Sequence, residues 1–168
     1  MTMRPIRIIG DPVLRTACDP VTSFDAELRG LVTDLLDTMD GAPGRAAVAA
    51  PQIGVAARVF VWDVEGSRGH LVNPTLELSD EPQTDDEGCL SVPGLSFPTR
   101  RAMHAVARGV DKHGEPLAVS ASGYLARALQ HEYDHLDGRL YVDTLSGEVR
   151  RRALREIRAG RFASPTAG

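Results

Sequence analysis

From Ser23 onward the chain sets Leu28, Leu31, Val32, Leu35, Leu36 and Met39 three and four residues apart, with Asp25 and Glu27 ahead and Gly41 behind. That period gathers the apolar side chains on one stripe of a helix, and acidic residues in the first turn suit the positive end of its dipole. The pattern predicts an amphipathic helix over residues 23–40. Beyond it the period drops to two: residues 58–63, 70–76 and 103–110 are rich in valine, are interrupted by turn residues and read as strands. Asp111-Lys112-His113-Gly114 has the chemistry of a tight turn and returns the chain through residues 116–120 as the second arm of a hairpin. Helical spacing resumes over residues 122–136, closed by Gly138, and again over 146–159. Strands and helices come in groups rather than in alternation. This predicts an α+β fold, with antiparallel or mixed sheets packed around the helix of residues 122–136, an amphipathic helix before them and a C-terminal helix after.

Composition adds bounds. A chain of 168 residues without repeats or a linker reads as one domain, 1–168, long enough to bury a core around a site, with residues 163–168 expected as a disordered tail. The net charge of -4 gives no global attraction to nucleic acid or a membrane surface, so no specific DNA binding is expected. No run reaches the ~18 apolar residues of a membrane span, and the opening Met1-Thr2-Met3-Arg4-Pro5-Ile6 lacks the apolar stretch of a secretion signal. A cytoplasmic setting is the expectation. Two cysteines, Cys18 and Cys89, are too few for a disulfide scaffold, so each is a thiol or a ligand. Nothing around Cys18 suggests chemistry, and it reads as a small buried hydrophobe.

The chemistry concentrates in His131-Glu132-Tyr133-Asp134-His135. Two histidines four apart on a helix stand one above the other and can reach one ion, while Glu132 points about 100° away and can reach a water on that ion. Ala128 and Tyr124, one and two turns earlier on that face, should line the wall beside it. A catalytic site of this kind takes a third protein ligand and keeps one position open. Downstream candidates are poor: Asp137 and Asp143 crowd the helix end, Glu148 and Glu156 fall on a solvent-facing pattern, and no histidine follows His135. Upstream stands Glu87-Gly88-Cys89-Leu90-Ser91, whose soft sulfur would bind ferrous iron or zinc well. A Cys89, His131, His135 ligand set follows. Gln52, in the small and apolar run Ala49-Ala50-Pro51-Gln52-Ile53-Gly54, would be costly to bury without a partner. Its amide can steady a developing oxyanion without competing for the metal.

The segments AAVAAPQIG, EGCLS and QHEYDHLDG, in this order, resemble the three signature motifs of the peptide deformylases, which remove formyl from the initiator methionine of nascent bacterial proteins. Gly10-Asp11-Pro12-Val13-Leu14-Arg15 and Val72-Asn73-Pro74 resemble the family too. The resemblance implies an α+β fold and Cys89, His131 and His135 as ligands, commonly of Fe(II), with Zn(II) or Ni(II) able to take the site. It implies Glu132 as general base and acid, and Gln52 with the Leu90 N–H as oxyanion donors. It implies a formyl-methionyl peptide lying as an added strand along Ala46, Ala47 and Gly88, its methionine side chain in an apolar pocket walled by Tyr124 and Ala128.

One departure stands out. Where the family has Gly-x-Gly-Leu-Ala-Ala, this chain reads Arg45-Ala46-Ala47-Val48-Ala49-Ala50, and the methyl of Ala47 is expected to narrow the cleft or strain the loop, changing affinity for peptides. Two other classes follow from single features: a noncatalytic relative from Ala47, and a metallopeptidase from the HExxH helix alone. The last helix carries Arg150, Arg151, Arg152, Arg155, Arg158 and Arg161 against Glu148 and Glu156. That strip reads either as a solvated face or as a contact to ribosomal RNA.

Overall fold

The computed structural model describes residues 2–160. The tail expected over residues 163–168 lies outside them, as does Arg161. Among the described residues the chain forms α1 (Ala26–Asp40), β1 (Ala47–Ala49), β2 (Val59–Val64), β3 (Ser67–Leu78), β4 (Pro82–Cys89), β5 (Val92–Ala102), β6 (His104–Val110), β7 (Pro116–Ser122), α2 (Gly123–Leu136) and α3 (Gly147–Arg158). One sheet has five strands in the order β1-β2-β3-β6-β7, and the other is the β4-β5 pair. Every strand pairing in them is antiparallel. The isolated parallel bridge Asp19–Ala57 does not make either sheet mixed.

The five-stranded sheet is a layer between two helices. In β2, Val59 and Val61 join Leu28, Val32, Leu35 and Met39 of α1, while Phe60 and Trp62 join Leu129 and Leu136 of α2. Each Val, Leu or Phe so buried contributes about 1.5–3 kcal/mol. The α1 helix begins at Ala26, later than the spacing suggested, because the Asp25 carboxylate accepts from Leu28 N at 3.1 Å and caps it.

The β4-β5 hairpin was not expected as strands beyond an extended stretch ending near Cys89. Most of its buried positions are polar, Gln83 and Glu87 on β4 with Thr99 and Arg101 on β5, and Val92 and Phe97 alone give no apolar alternation. Pairing runs from Pro82–Ala102 to Gly88–Ser96, then slips so that Cys89 pairs with Val92. This irregularity at the hairpin end sets where Cys89 faces.

The α2 helix is buried on both sides. Ala126, Leu129 and Leu136 are buried, and so are Arg127, Gln130, His131, Glu132 and His135. The apolar side chains join the large sheet, and Gln130 exchanges hydrogen bonds with the Ala102 main chain at 3.0 Å on the hairpin side. The end of α2 is tied down by Cys18 N donating to Leu136 O at 2.9 Å and by Arg58 Nη1 donating to Leu136 O at 3.1 Å. Gly138, at φ 75°, lets the chain turn away where an added Cβ would stand 2.8 Å from the Arg15 backbone. No helix of the described residues is long and apolar enough to cross a membrane.

Candidate metal centre

The slip at the end of β4 and two turns of α2 bring three donor atoms together. Cys89 Sγ lies 3.4 Å from His135 Nε2, and the two Nε2 atoms of His131 and His135 lie 3.2 Å apart. All three atoms fall within 4.8 Å of one another. Two ring nitrogens and a sulfur facing each other so closely form a donor set with softness suited to a divalent transition metal.

The far nitrogen of His131 is fixed by a carboxylate. His131 Nδ1 lies 2.7 Å from Glu87 Oε2, which orients the ring and leaves Nε2 toward Cys89 and His135. Glu87 itself accepts from Arg101 Nε at 3.0 Å, Arg101 Nη2 at 2.6 Å and Arg127 Nη1 at 2.8 Å. Arg101 Nη1 donates to Asp134 Oδ2 at 2.7 Å. Arg101 on β5 thus binds both Glu87 of β4 and Asp134 of α2, locking the strand that bears the sulfur to the helix that bears the imidazoles. Sequence reading missed Arg101, Arg127, Asp134 and the role of Glu87. One signal was available: Glu87 stands two residues before Cys89, hence on the same side of a strand.

Electrostatics call for a cation here. Burial opposes charge on His131, yet the sulfur of Cys89 and the carboxylate of Glu87 raise its proton affinity well above the ordinary range. Burial lowers His135 well below that range, with His131 acting in the same direction, so its nitrogen stays free to coordinate. For Glu87, burial works upward, and the hydrogen bonds from His131 and Arg101 overcome it and hold the carboxyl at about 2. Burial pushes the Glu132 carboxyl up to about 7. Its Oε2 is buried with no hydrogen-bond partner among the described residues. A carboxyl at that value beside the donor set is poised to exchange a proton near neutral pH.

Gln52 lies in a 3-10 turn, Ala50–Ile53, directly after β1. Its Oε1 accepts from Ala49 N at 3.0 Å, and its Nε2 donates to Ser91 Oγ at 3.1 Å and faces Cys89 Sγ at 3.8 Å. This supplies the partners that a buried carboxamide requires; Ser91 was not foreseen. Leu90 occupies the turn between β4 and β5 and lines the same cavity, of about 420 Å³, as Gln52, Cys89, His131 and Glu132. Ala46, just before β1, and the strand positions Ala47 and Gly88 line it, as do Tyr124 and Ala128. Tyr124 is half exposed and Ala128 buried, so Tyr124 stands at the rim and Ala128 deeper.

Ala47 does not strain the loop. It pairs with Trp62 in regular antiparallel register, and Glu65 and Asn73 are the non-glycine residues with positive φ among those described. Of the two expected effects of its methyl, strain is corrected, and the methyl at the cavity wall remains. The acidic residues set aside downstream are occupied elsewhere, Asp137 by Arg58 at 3.0 Å and Asp143 by Arg15. Cys18 is buried, its thiol pushed up by burial, away from the donor set. On α3, Arg150, Arg151, Arg152, Arg155 and Arg158 are exposed, and Glu148 and Glu156 pair with three of them.

An α+β fold carrying a possible Cys, His, His metal triad beside a buried carboxyl at the foot of a cleft defines the class: a metal-dependent hydrolase. A family model described as polypeptide deformylase matches residues 3–151. A peptide deformylase of Acidothermus cellulolyticus is 58% identical over 166 residues, 99% of this chain and 92% of that protein. One from Parafrankia sp. is 50% identical, covering 98% of this chain and 90% of the relative. The crystal structure of a peptide deformylase from Legionella pneumophila superposes with a TM-score of 0.86 at 39% identity, over 95% of this chain and 96% of the other. That from Thermus thermophilus gives 0.87 at 38%, over 94% of each. The chain belongs to the polypeptide deformylase family and is a hydrolase of that family.

Proposed function

We propose that this enzyme removes the N-formyl group from the N-terminal formyl-methionine of newly made proteins in the cytoplasm, releasing formate, at the centre formed by Cys89, His131 and His135. The supporting observation is that three separate segments meet around one cavity: the Gln52 turn, the end of β4 and the buried face of α2. Cys89 Sγ and the Nε2 atoms of the two histidines would hold the metal, Fe(II) by family and Zn(II) or Ni(II) by the same donor chemistry. When bound there, such an ion supplies a water acid enough to react near neutral pH and polarises a carbonyl oxygen.

The chain's own residues then carry the proton and the charge. Glu132 takes the proton of the water that attacks the formyl carbon. It delivers that proton to the amine nitrogen as the C–N bond breaks, so formate and a free amino terminus leave. A carboxyl with an affinity near pH 7 suits both halves of that task. Gln52 Nε2 and the Leu90 N–H steady the negative oxygen that develops in between.

The peptide fits as an added strand. Among the described residues β1 is an outer strand of the large sheet and β4 pairs with β5 alone, so each has an unpaired edge, and Ala47 and Gly88 on them, with Ala46 just before β1, line one cleft. Main-chain pairing of this kind tolerates many downstream sequences. Tyr124 and Ala128 would wall the methionine pocket. The exposed arginines of α3 would give a salt-dependent contact to ribosomal RNA.

The test is formate release from a formyl-Met peptide, under anaerobic conditions with Fe(II), by wild type and Glu132→Ala. Loss of about 10²–10⁴-fold in kcat with retained metal is expected. Undiminished turnover by the variant would remove Glu132 from the mechanism, and release of peptide fragments rather than formate would favour a peptidase.

A further inference from the structure

The opening residues, with their family-like Gly10-Asp11-Pro12-Val13-Leu14-Arg15, have no part in the chemistry above, yet they cross the molecule as a strap. Thr2 N donates to Asp37 Oδ2 at 3.0 Å and Arg4 N to Thr38 Oγ1 at 2.9 Å, both on α1. Arg7 N then donates to the Gln52 carbonyl at 2.7 Å, and Ile9 N to the Ser91 carbonyl at 2.8 Å. Two residues apart, these N–H groups join the turn that carries Gln52 to the turn that carries Leu90. The two turns belong to different sheets, with no strand pairing between them.

Side chains reinforce the link. Ile6 and Leu90 pack against the cluster that contains Ile53, and Ile9 and Cys89 pack against the cluster that contains Val92. The Arg7 guanidinium pairs with Asp11 at 3.1 Å and lies on Gly54, where an added Cβ would stand 2.8 Å from it. The other hydrogen bonds across this gap among the described residues come from the Gln52 amide itself, to Ser91 Oγ and Cys89 Sγ. An amide that must turn toward a substrate oxygen is a poor sole anchor for its own turn. The main-chain bonds of the strap leave it free to do so.

We propose that the main-chain N–H groups of Arg7 and Ile9 are positioning groups for the reaction, setting the separation of the Gln52 amide and the Leu90 N–H. The inference rests on the reading of those two as oxyanion donors. Both must come within about 2.7–3.1 Å of one oxygen position to act together, and a misplacement on the order of 1 Å can lower a rate about 10²-fold. The strap therefore acts on turnover rather than on peptide or metal affinity.

The experiment replaces single N–H groups by ester oxygens in the full-length, metal-loaded enzyme, through α-hydroxy acids at positions 7 and 9, with position 4 as the control on the same strap. Expected is a fall of about tenfold in kcat for 7 and 9, with KM unchanged. Cobalt affinity and the visible spectrum of the Co(II)-loaded enzyme should also stay unchanged. The ester at 4, which severs only a bond to α1, should leave kcat as it was. In a Gln52→Ala background the esters at 7 and 9 should have no further effect, because the separation they set matters only while the Gln52 amide is one of the two donors. Unchanged kcat for the esters in an otherwise native chain, or an equal loss in the Gln52→Ala background, or a changed Co(II) spectrum, overturns the strap. If Gln52→Ala by itself leaves kcat intact, the oxyanion reading fails and the strap with it. If Gln52→Ala lowers kcat and the esters do not, the strap alone fails.

Discussion

The two sheets of this molecule meet α2 through opposite kinds of interaction. The five-stranded sheet is apolar on both faces of β2, with α1 on one side and α2 on the other. The β4-β5 pair meets α2 through buried charge and amide groups: Glu87 with Arg101 and Arg127, Arg101 with Asp134, Gln130 with the Ala102 main chain. Apolar packing is strong but nearly indifferent to direction, and it makes a stable platform. Charge-assisted hydrogen bonds are directional, so the hairpin is set against α2 with little freedom of angle. The donor set lies on that second seam, since Cys89 comes from the hairpin and the histidines from the helix. In this molecule the directional contacts are concentrated where the chemistry is.

This contrast can be broken at the polar seam, with the largest consequence. Arg101→Met leaves Glu87 and Asp134 buried with fewer partners, and a loss of about 3–5 kcal/mol of stability is expected. Metal affinity should fall about 10–100-fold, because Glu87 loses the support that orients His131. Chemical denaturation of the metal-loaded protein and zinc competition against a chromophoric chelator measure the two; an unchanged affinity would show that Arg127 alone suffices. At the apolar seam, Leu35→Ala should remove about 2–5 kcal/mol. There, kcat and metal affinity of the folded protein should match wild type, and a parallel drop in metal affinity would erase the distinction between the seams. The smallest effect is expected at the cleft edge. Ala47→Gly removes a methyl from the cavity wall at a stability loss of roughly 0.5–1 kcal/mol. It should alter KM for formyl-Met peptides and the affinity of peptide-like inhibitors while kcat holds, and identical values for both proteins would make the methyl irrelevant.

Legibility in the sequence followed the same division. The apolar seam was readable because helical and strand periods report burial directly: α1, β2, β3 and β6 lie where Leu28 to Met39 and the valine-rich runs indicated and β7 where the hairpin turn did, whereas the three-residue β1 was not indicated. The hairpin was not, because Gln83, Glu87 and Arg101 point inward and mimic a solvent-exposed stretch. Arg58 gave no sign that it would tie off the end of α2, nor Ser91 that it would receive the Gln52 amide. Such pairs are far apart in the chain, and a polar side chain carries no local mark of its partner.

For the site itself, the sequence determined the atoms available. Two histidines four apart on a helix must share a face, Glu132 must lie beside them, and the want of a downstream ligand, with nothing around Cys18 to suggest one, pointed to Cys89 as the candidate sulfur. The tertiary structure decided that these atoms meet. The slip in register after Gly88, the clamp of Arg101 across Glu87 and Asp134, and the strap of Arg7 and Ile9 across two turns are contacts between distant segments. It also decided that Ala47 sits unstrained in β1, since a backbone angle depends on the pairing with Trp62 and not on residue type alone. Residue types and local periods specify which groups exist and which way they point along one element. Their distances across elements are set only when the packed core and its polar seams close together.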